Sequence, residues 1–217
     1  MGLVKWFLDL VYPPKCVFCE KVLKNGRICT DCLKDLPYTA GDAVSQKLPF
    51  IDSCIAPLYY EDKVRESILR YKFFGMQAYS AEYGEIMSEF IDNNLDCGSI
   101  DVISWVPLSR IRLRGRGYNQ SQLVGSDISK RLGLPKKALL VKTGNNKPQS
   151  RTSSAAERAK NVSGMYRAAD AEYVKGKTVL LIDDVVTTGS TLSECARVLK
   201  KSGAKCVYCA AIARHRD

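Results

Sequence analysis

The 217-residue sequence holds a single histidine, His215, two residues before its last. One imidazole so placed offers no histidine-based constellation for acid–base or nucleophilic catalysis. No G-x-x-x-x-G-K-[ST] run occurs, so a Walker-type nucleotide site is not indicated. Residues 1–12 (MGLVKWFLDLVY) are apolar but fall well short of the ~20 residues that span a bilayer. They also carry Asp9 and lack a small-residue cleavage site, so neither a transmembrane segment nor a secretory signal is expected. Leu3, Val4, Phe7, Leu10 and Val11 fit one helical face, which predicts a short amphipathic helix packed on the protein. Internal repeats and low-complexity tracts are missing as well. With 46% hydrophobic and 26% charged residues, the composition is that of a folded globular protein rather than a disordered one.

Cysteine, by contrast, is plentiful. There are nine, an odd number, and without a secretory signal they place the chain in a reducing cytoplasm, where close pairs suggest metal before disulfides. Cys16-x-x-Cys19 and Cys29-x-x-Cys32 are separated by nine residues. Together they supply the four thiolates that tetrahedral zinc accepts, and a closed shell of this kind leaves no position for water, so the Zn2+ is structural. Asn25-Gly26 supplies a turn between the pairs. A chance pair of C-x-x-C sequences or a redox dithiol are the competing readings. The expected division is residues 1–45 for the amphipathic helix and zinc module, and residues 46–217 for a second domain. Cys54, Cys97, Cys195, Cys206 and Cys209 read as small buried apolar residues. Cys206 and Cys209 fall in a predicted strand, where alternation turns them to opposite faces.

Positive charge is in excess. Lys and Arg number 33 against 23 Asp and Glu, a net charge of +10. This suits an anionic partner, whether nucleic acid, polyphosphate or an acidic membrane surface, and equally a solvated basic surface.

Strands are expected over Ile55–Tyr60, Asp101–Val106, Ala138–Val141, Thr178–Ile182 and Cys206–Ile212. Helices are expected over Lys63–Phe73, Ala78–Asn93, Asn119–Leu132, Ser154–Asn161 and Ser190–Lys201. The alternation predicts an α/β fold with a mainly parallel sheet. The polar, turn-rich stretch Lys142–Ser154 reads as a loop or surface connector.

The segment Val179–Thr191 (VLLIDDVVTTGST) carries the clearest chemistry. Val179–Ile182 suits a strand buried on both faces. Asp183 and Asp184 follow at its carboxyl end, where open parallel sheets bind ligands. Buried carboxylates need partners, and ribose hydroxyls can donate to them. Val186, Thr187, Thr188, Gly189, Ser190 and Thr191 then lead into a helix. Free backbone N–H groups at a helix start attract phosphate, Gly189 lets the backbone approach it, and Ser190 or Thr191 is a candidate cap. The order supplies acceptors for a sugar and donors for its phosphate.

A second anion-binding segment follows the strand ending near Val106. Arg110, Arg112, Arg114 and Arg116 alternate there and, if extended, share a side. Planar guanidinium forks suit phosphate oxygens. A solvated basic loop is the competing reading.

Val179–Thr191 resembles the phosphoribosyl pyrophosphate signature of type I phosphoribosyltransferases. The resemblance implies that Asp183 and Asp184 contact the ribose hydroxyls and that Thr187–Thr191 hold the 5′-phosphate. Arg114-Gly115-Arg116-Gly117-Tyr118-Asn119-Gln120, Pro13-Pro14 before the cysteine knuckle and Tyr71-Lys72-Phe73-Phe74-Gly75 narrow the likeness to the ComF competence-protein family. That family implies a bacterial cytoplasmic protein linked to DNA uptake, with a type I phosphoribosyltransferase-like sheet and an N-terminal zinc ribbon. The chain departs from the family at Gln149, which lacks a following leucine, although Glu157, Arg158 and Asn161 are kept; Arg151 is a candidate lid residue or a surface residue.

If the protein is a transferase, Mg2+ bridges pyrophosphate and ribose oxygens. Asp183, Asp184, Arg112, Arg114 and Arg116 then stabilise charge as pyrophosphate departs. The rival reading is a non-catalytic sensor of phosphoribosyl pyrophosphate that binds single-stranded DNA and works with other competence proteins. Tyr71, Phe73, Phe74 and Tyr118 offer stacking surfaces for bases, although core packing is their more ordinary use.

Overall fold

A computed structural model of the chain describes residues 13–144 and 161–216. The helix expected in residues 1–12, the Arg151 segment and most of the helix expected over Ser154–Asn161 lie outside the described residues.

The cysteine module ends in a short helix, α1 (Thr30–Asp35). Strands β1 (Ser45–Gln46), β2 (Ser53–Ile55) and β3 (Leu58–Tyr59) follow. Next come helices α2 (Asp62–Phe73) and α3 (Tyr79–Asn94), strand β4 (Val102–Trp105), and helices α4 (Arg110–Arg116) and α5 (Gln120–Leu132). The remainder comprises β5 (Leu140–Lys142), β6 (Tyr166–Ala168), α6 (Ala171–Val174), β7 (Thr178–Val186), α7 (Ser190–Lys201) and β8 (Cys206–Arg214).

The main sheet has the order β1-β2-β8-β7-β4, with β3 also pairing with β8. Every pair in it is parallel except β1 with β2. Strand β7, between β8 and β4, begins with the apolar run Val179–Ile182 expected of a strand covered on both faces. Alternation divides the strand's side chains. Leu180 and Ile182 join the core formed with α2, α3 and α5, whereas Val179 and Leu181 join the core under α7.

Several expectations need correction. The strand expected over Ile55–Tyr60 is broken: Pro57 has no N–H to donate to a ladder, and Ala56-Pro57 separates β2 from β3. The strand expected over Ala138–Val141 does not join the parallel sheet. Its counterpart β5 pairs antiparallel with β6, an element the sequence reading missed, in a separate two-stranded sheet. β7 extends four residues beyond Ile182, because β8 keeps pairing with it (Asp183 opposite Ala211, Val186 opposite Arg214) after β4 has ended at Trp105. Cys97 and Cys206 are only partly buried, unlike Cys54, Cys195 and Cys209.

The cysteine module does not stand apart from the rest of the fold. Cys16, Val17 and Phe18 are fully buried in one core with Ile68, Tyr71 and Tyr83 of α2 and α3. The ring of Phe18 meets Tyr83 edge-on at 6.2 Å. Arg70 donates from Nη2 to the carbonyls of Val17 (3.1 Å) and Phe18 (2.7 Å), so the first cysteine turn is pinned to α2 through its backbone.

Candidate functional site

The four expected zinc ligands converge. The sulfur atoms of Cys16, Cys19, Cys29 and Cys32 all lie within 4.8 Å of one another, and Cys19 and Cys29 are 3.6 Å apart. Four sulfurs around zinc at ~2.3 Å stand about 3.8 Å apart, so the donor set fits that ion. Backbone N–H groups already point at the sulfurs: Cys29 N donates to Cys16 (3.4 Å) and Cys32 N to Cys29 (3.3 Å). Burial opposes ionisation of Cys16, but N–H donors from Cys19, Cys29 and Phe18 outweigh it and bring that thiol down to about 7. Burial and the other three sulfurs push Cys32 far up. Such a crowd of thiols ionises together only around a cation, and zinc deprotonates the sulfurs it binds.

At the carboxyl end of the main sheet stand Asp183 and Asp184. Asp183 Oδ1 accepts from Ser121 Oγ (3.1 Å) and from the backbone N–H of Asp184 (2.8 Å). Burial, and then the charge of Asp184, raise the Asp183 carboxyl to about 7. Alternation turns Asp184 toward α2, where Lys72 Nζ meets its Oδ1 at 2.7 Å, with both side chains largely buried. Ser121 and Lys72 are site residues that the sequence reading did not assign. Lys72 belongs to a segment already singled out, but only the fold carries the end of α2 to the end of β7.

Beyond the acids the chain makes the expected hydroxyl-rich turn into α7. Val186 is buried in the core, so its side chain is not available to a ligand and only its backbone can be. Gly189 adopts a left-handed φ of 69° at the start of α7. The space a side chain would take there is filled by Leu48: a Cβ would lie 2.4 Å from one of its methyls. Glycine is thus demanded by backbone and packing together, rather than solely by close approach of an anion. Neither Ser190 nor Thr191 caps the helix, and the hydroxyls of Thr188 and Ser190 instead bond to each other at 2.9 Å. With no side-chain cap, the N–H groups of the first turn remain for an anion.

The arginine segment departs most from expectation. Residues Arg110–Arg116 are helical, capped by Ser109 and ended by Gly117 at φ 78°. A helix advances ~100° per residue, so the four arginines do not share a side. Arg112 and Arg116 fall on one face; Arg110 and Arg114 fall on the opposite one. Arg116 stacks on Phe73 at 4.8 Å and donates to Gln120 Oε1 at 2.9 Å. The fields of Asp184 and Asp183 reach it and oppose the lowering of its pKa by burial. Arg112 lies close enough to Lys142 of β5 to help depress that ammonium, after burial. Arg116, Lys72 and Lys142 therefore lie within the field of the acids, Arg112 lies beside Arg116 and Lys142, and Arg110 and Arg114 fall on the other face of α4.

The R-G-Y-N-Q residues explain how α4 is fixed. Asn119 caps α5 and donates to Val106 O at 3.0 Å. The Tyr71 hydroxyl donates to Gln120 O at 2.9 Å, and the Tyr118 hydroxyl donates to Tyr71 O. These contacts lash the end of α2 to the junction between α4 and α5. Tyr71 and Tyr118 are core residues, but Phe73 and Phe74 are 61% and 69% exposed, against the expectation that all four pack inside.

Comparison with known proteins agrees with this architecture. Residues 119–217 match the phosphoribosyl transferase domain, and residues 7–44 match the double zinc ribbon domain. The chain therefore has a phosphoribosyltransferase-type fold with an N-terminal four-cysteine cluster that matches a zinc ribbon. Over most of its length the chain is a homologue of two competence proteins. Competence protein F of Haemophilus influenzae is 29% identical over 206 residues, 92% of this chain and 90% of that protein. Competence protein ComFC of Bacillus subtilis is 28% identical over 202 residues, 87% of this chain and 78% of that one. Among solved structures, the glutamine phosphoribosylpyrophosphate amidotransferase of B. subtilis is 20% identical, with 65% of this chain and 30% of that one covered at a TM-score of 0.43. Among the described residues no helix is long and apolar enough to cross a membrane.

Proposed function

We propose that this chain binds phosphoribosyl pyrophosphate at the carboxyl end of β7 and serves DNA uptake, as the names of its competence homologues suggest. The observation that carries the reading is the acid pair beside an uncapped helix start: Asp183 and Asp184, with Thr187–Thr191 entering α7. The carboxylates accept from the ribose hydroxyls, and the N–H and hydroxyl groups of the turn hold the 5′-phosphate. Arg112, Arg116 and Lys72 face the diphosphate, whose charge arrives partly neutralised by the Mg2+ it carries.

The same arrangement suits transfer of the phosphoribosyl group. As the bond from the anomeric carbon to the pyrophosphate oxygen breaks, positive charge grows on the ribose next to Asp183 and Asp184. The bonding electrons leave with pyrophosphate toward the arginines, so positioning and fixed charges suffice without a protein nucleophile. The described residues around the acids offer no evident base for an acceptor. Binding is therefore the primary proposal and turnover the extension. Calorimetric titration with phosphoribosyl pyrophosphate and Mg2+ tests the first; pyrophosphate release across an acceptor panel tests the second. Binding without release from any acceptor leaves a sensor.

A second activity is favoured by one observation. Phe73, under Arg116 of α4, and its neighbour Phe74 are both exposed, a pairing of rings and a cation suited to single-stranded DNA. Such binding weakens as salt rises, with a slope that reports the phosphates contacted. Binding insensitive to salt, or absent, removes it.

A further inference from the structure

The acids of the proposed sugar site are not symmetric. Among the described residues, Lys72 is the one cation within ion-pair distance of either, at 2.7 Å from Asp184. It is also firmly placed. Tyr71, its neighbour, is fully buried. The Tyr71 hydroxyl holds Gln120 O, the Tyr118 hydroxyl holds Tyr71 O, and Gln120 Nε2 reaches Lys72 O at 3.5 Å. On the next residue, the Phe73 ring lies under Arg116. The end of α2 thus belongs to the same rigid unit as the arginine helix, and it presents a cation to β7 from the face opposite the phosphate turn. A surface lysine serving only the C-terminal dipole of α2 would have no such tether and no buried carboxylate partner.

We propose that Lys72 is the positioning cation of the acid pair, offsetting the repulsion between its carboxylates and aiming Asp184 as an acceptor for the ribose hydroxyls. This rests on the reading of the site as a phosphoribosyl pyrophosphate site. Two adjacent carboxylates at the end of a buried strand repel each other, and each accepts a hydroxyl proton best when ionised. Lys72 offsets that repulsion; its field also opposes the rise at Asp183. The other cations near the pair are Arg116 from α4 and Lys142 from β5, with Arg112 beside them. Tyr71, Tyr166 and the thiols of Cys54, Cys195 and Cys209 also face it, and burial raises all of them, so they remain neutral near pH 7.

The neutral replacement Lys72→Gln keeps a polar side chain one bond shorter, and Lys72→Arg keeps the charge. Losing an opposite charge at this range raises a carboxyl by about 1–3 pH units. If only the doubly ionised pair binds, apparent affinity falls with the fraction ionised. Phosphoribosyl pyrophosphate with Mg2+ is titrated calorimetrically into the full chain between about pH 6 and pH 9. The expected result for Lys72→Gln is affinity reduced about tenfold or more at pH 7, with recovery as pH rises, so that binding sets in at least about one pH unit higher than in the wild type. Lys72→Arg should keep the wild-type onset within about half a unit. Zinc content and thermal melting of each variant report folding independently. An unchanged onset in Lys72→Gln overturns the proposal, and so does a loss of affinity equal at every pH, which would make Lys72 a simple contact. If the wild-type chain binds no phosphoribosyl pyrophosphate at any pH, it is the site assignment that falls.

Discussion

Gly189 provides the sharpest test of how the phosphate turn is built. Its φ of 69° is a conformation that costs a residue with a Cβ about 1–2 kcal/mol. A Cβ at this position would also lie 2.4 and 2.6 Å from the two methyls of Leu48, so that side chain must leave its seat. Displacing a half-buried leucine into a poorer rotamer adds about 0.5–1.5 kcal/mol. Gly189→Ala should therefore destabilise the fold by about 1.5–3.5 kcal/mol, and lower the melting temperature by about 3–14 °C. The two contributions separate in a double-mutant cycle. In a Leu48→Ala background the steric part disappears, so the same glycine substitution should cost only the backbone part. Urea denaturation at fixed zinc, with the m-value checked for constancy, reads both numbers. Equal costs in the two backgrounds would show that Leu48 does not rest on the turn. A neutral Gly189→Ala in both would refute the left-handed backbone itself.

Other perturbations address the two sites separately. Cys16→Ser should lose zinc, as measured by metal analysis, and loosen the N-terminal module while phosphoribosyl pyrophosphate binding survives; full metal content would refute the knuckle. Replacing Asp183 and Asp184 together by asparagine should abolish that binding in calorimetry and leave zinc content unchanged. Asp183 alone has a pH signature. Its folded-state carboxyl, raised to about 7, lies above the ~3.9 of an unfolded chain. From about pH 4 to 7 the native state holds the extra proton, so this residue's contribution to stability falls as pH rises through that window. Asp183→Asn should flatten the fall and raise stability above pH 7 by about 1–3 kcal/mol, even as it removes the ligand site. Melting temperatures that fall equally steeply with pH in variant and wild type would contradict this.

The sequence by itself determined the features that depend on residue order over short distances. The spacing of Cys16, Cys19, Cys29 and Cys32 identifies a four-sulfur metal site, because two C-x-x-C turns suit a tetrahedral ion wherever the fold carries them. The run Thr178–Ile182 followed by two acids and a hydroxyl-rich turn identifies a strand, its carboxyl end and a helix start. Helix α7 begins and ends at the expected residues, since its apolar period and the glycine before it are local signals.

Tertiary structure decided what depends on partners far apart in the chain. β7 runs through its acids only because β8 continues to pair with it. The alternating arginines looked like an extended strip, yet Ser109 and Gly117 bound a helix that divides them into two faces; the period of two in the sequence carried no information about backbone state. Lys72 lies 112 residues before Asp184 in the sequence, and no spacing rule joins them. Packing of Tyr71 against Gln120 and Tyr118 brings that lysine to the acid. The same holds for Leu48 over Gly189. The sequence specifies the chemical groups, and long-range packing fixes which of them meet.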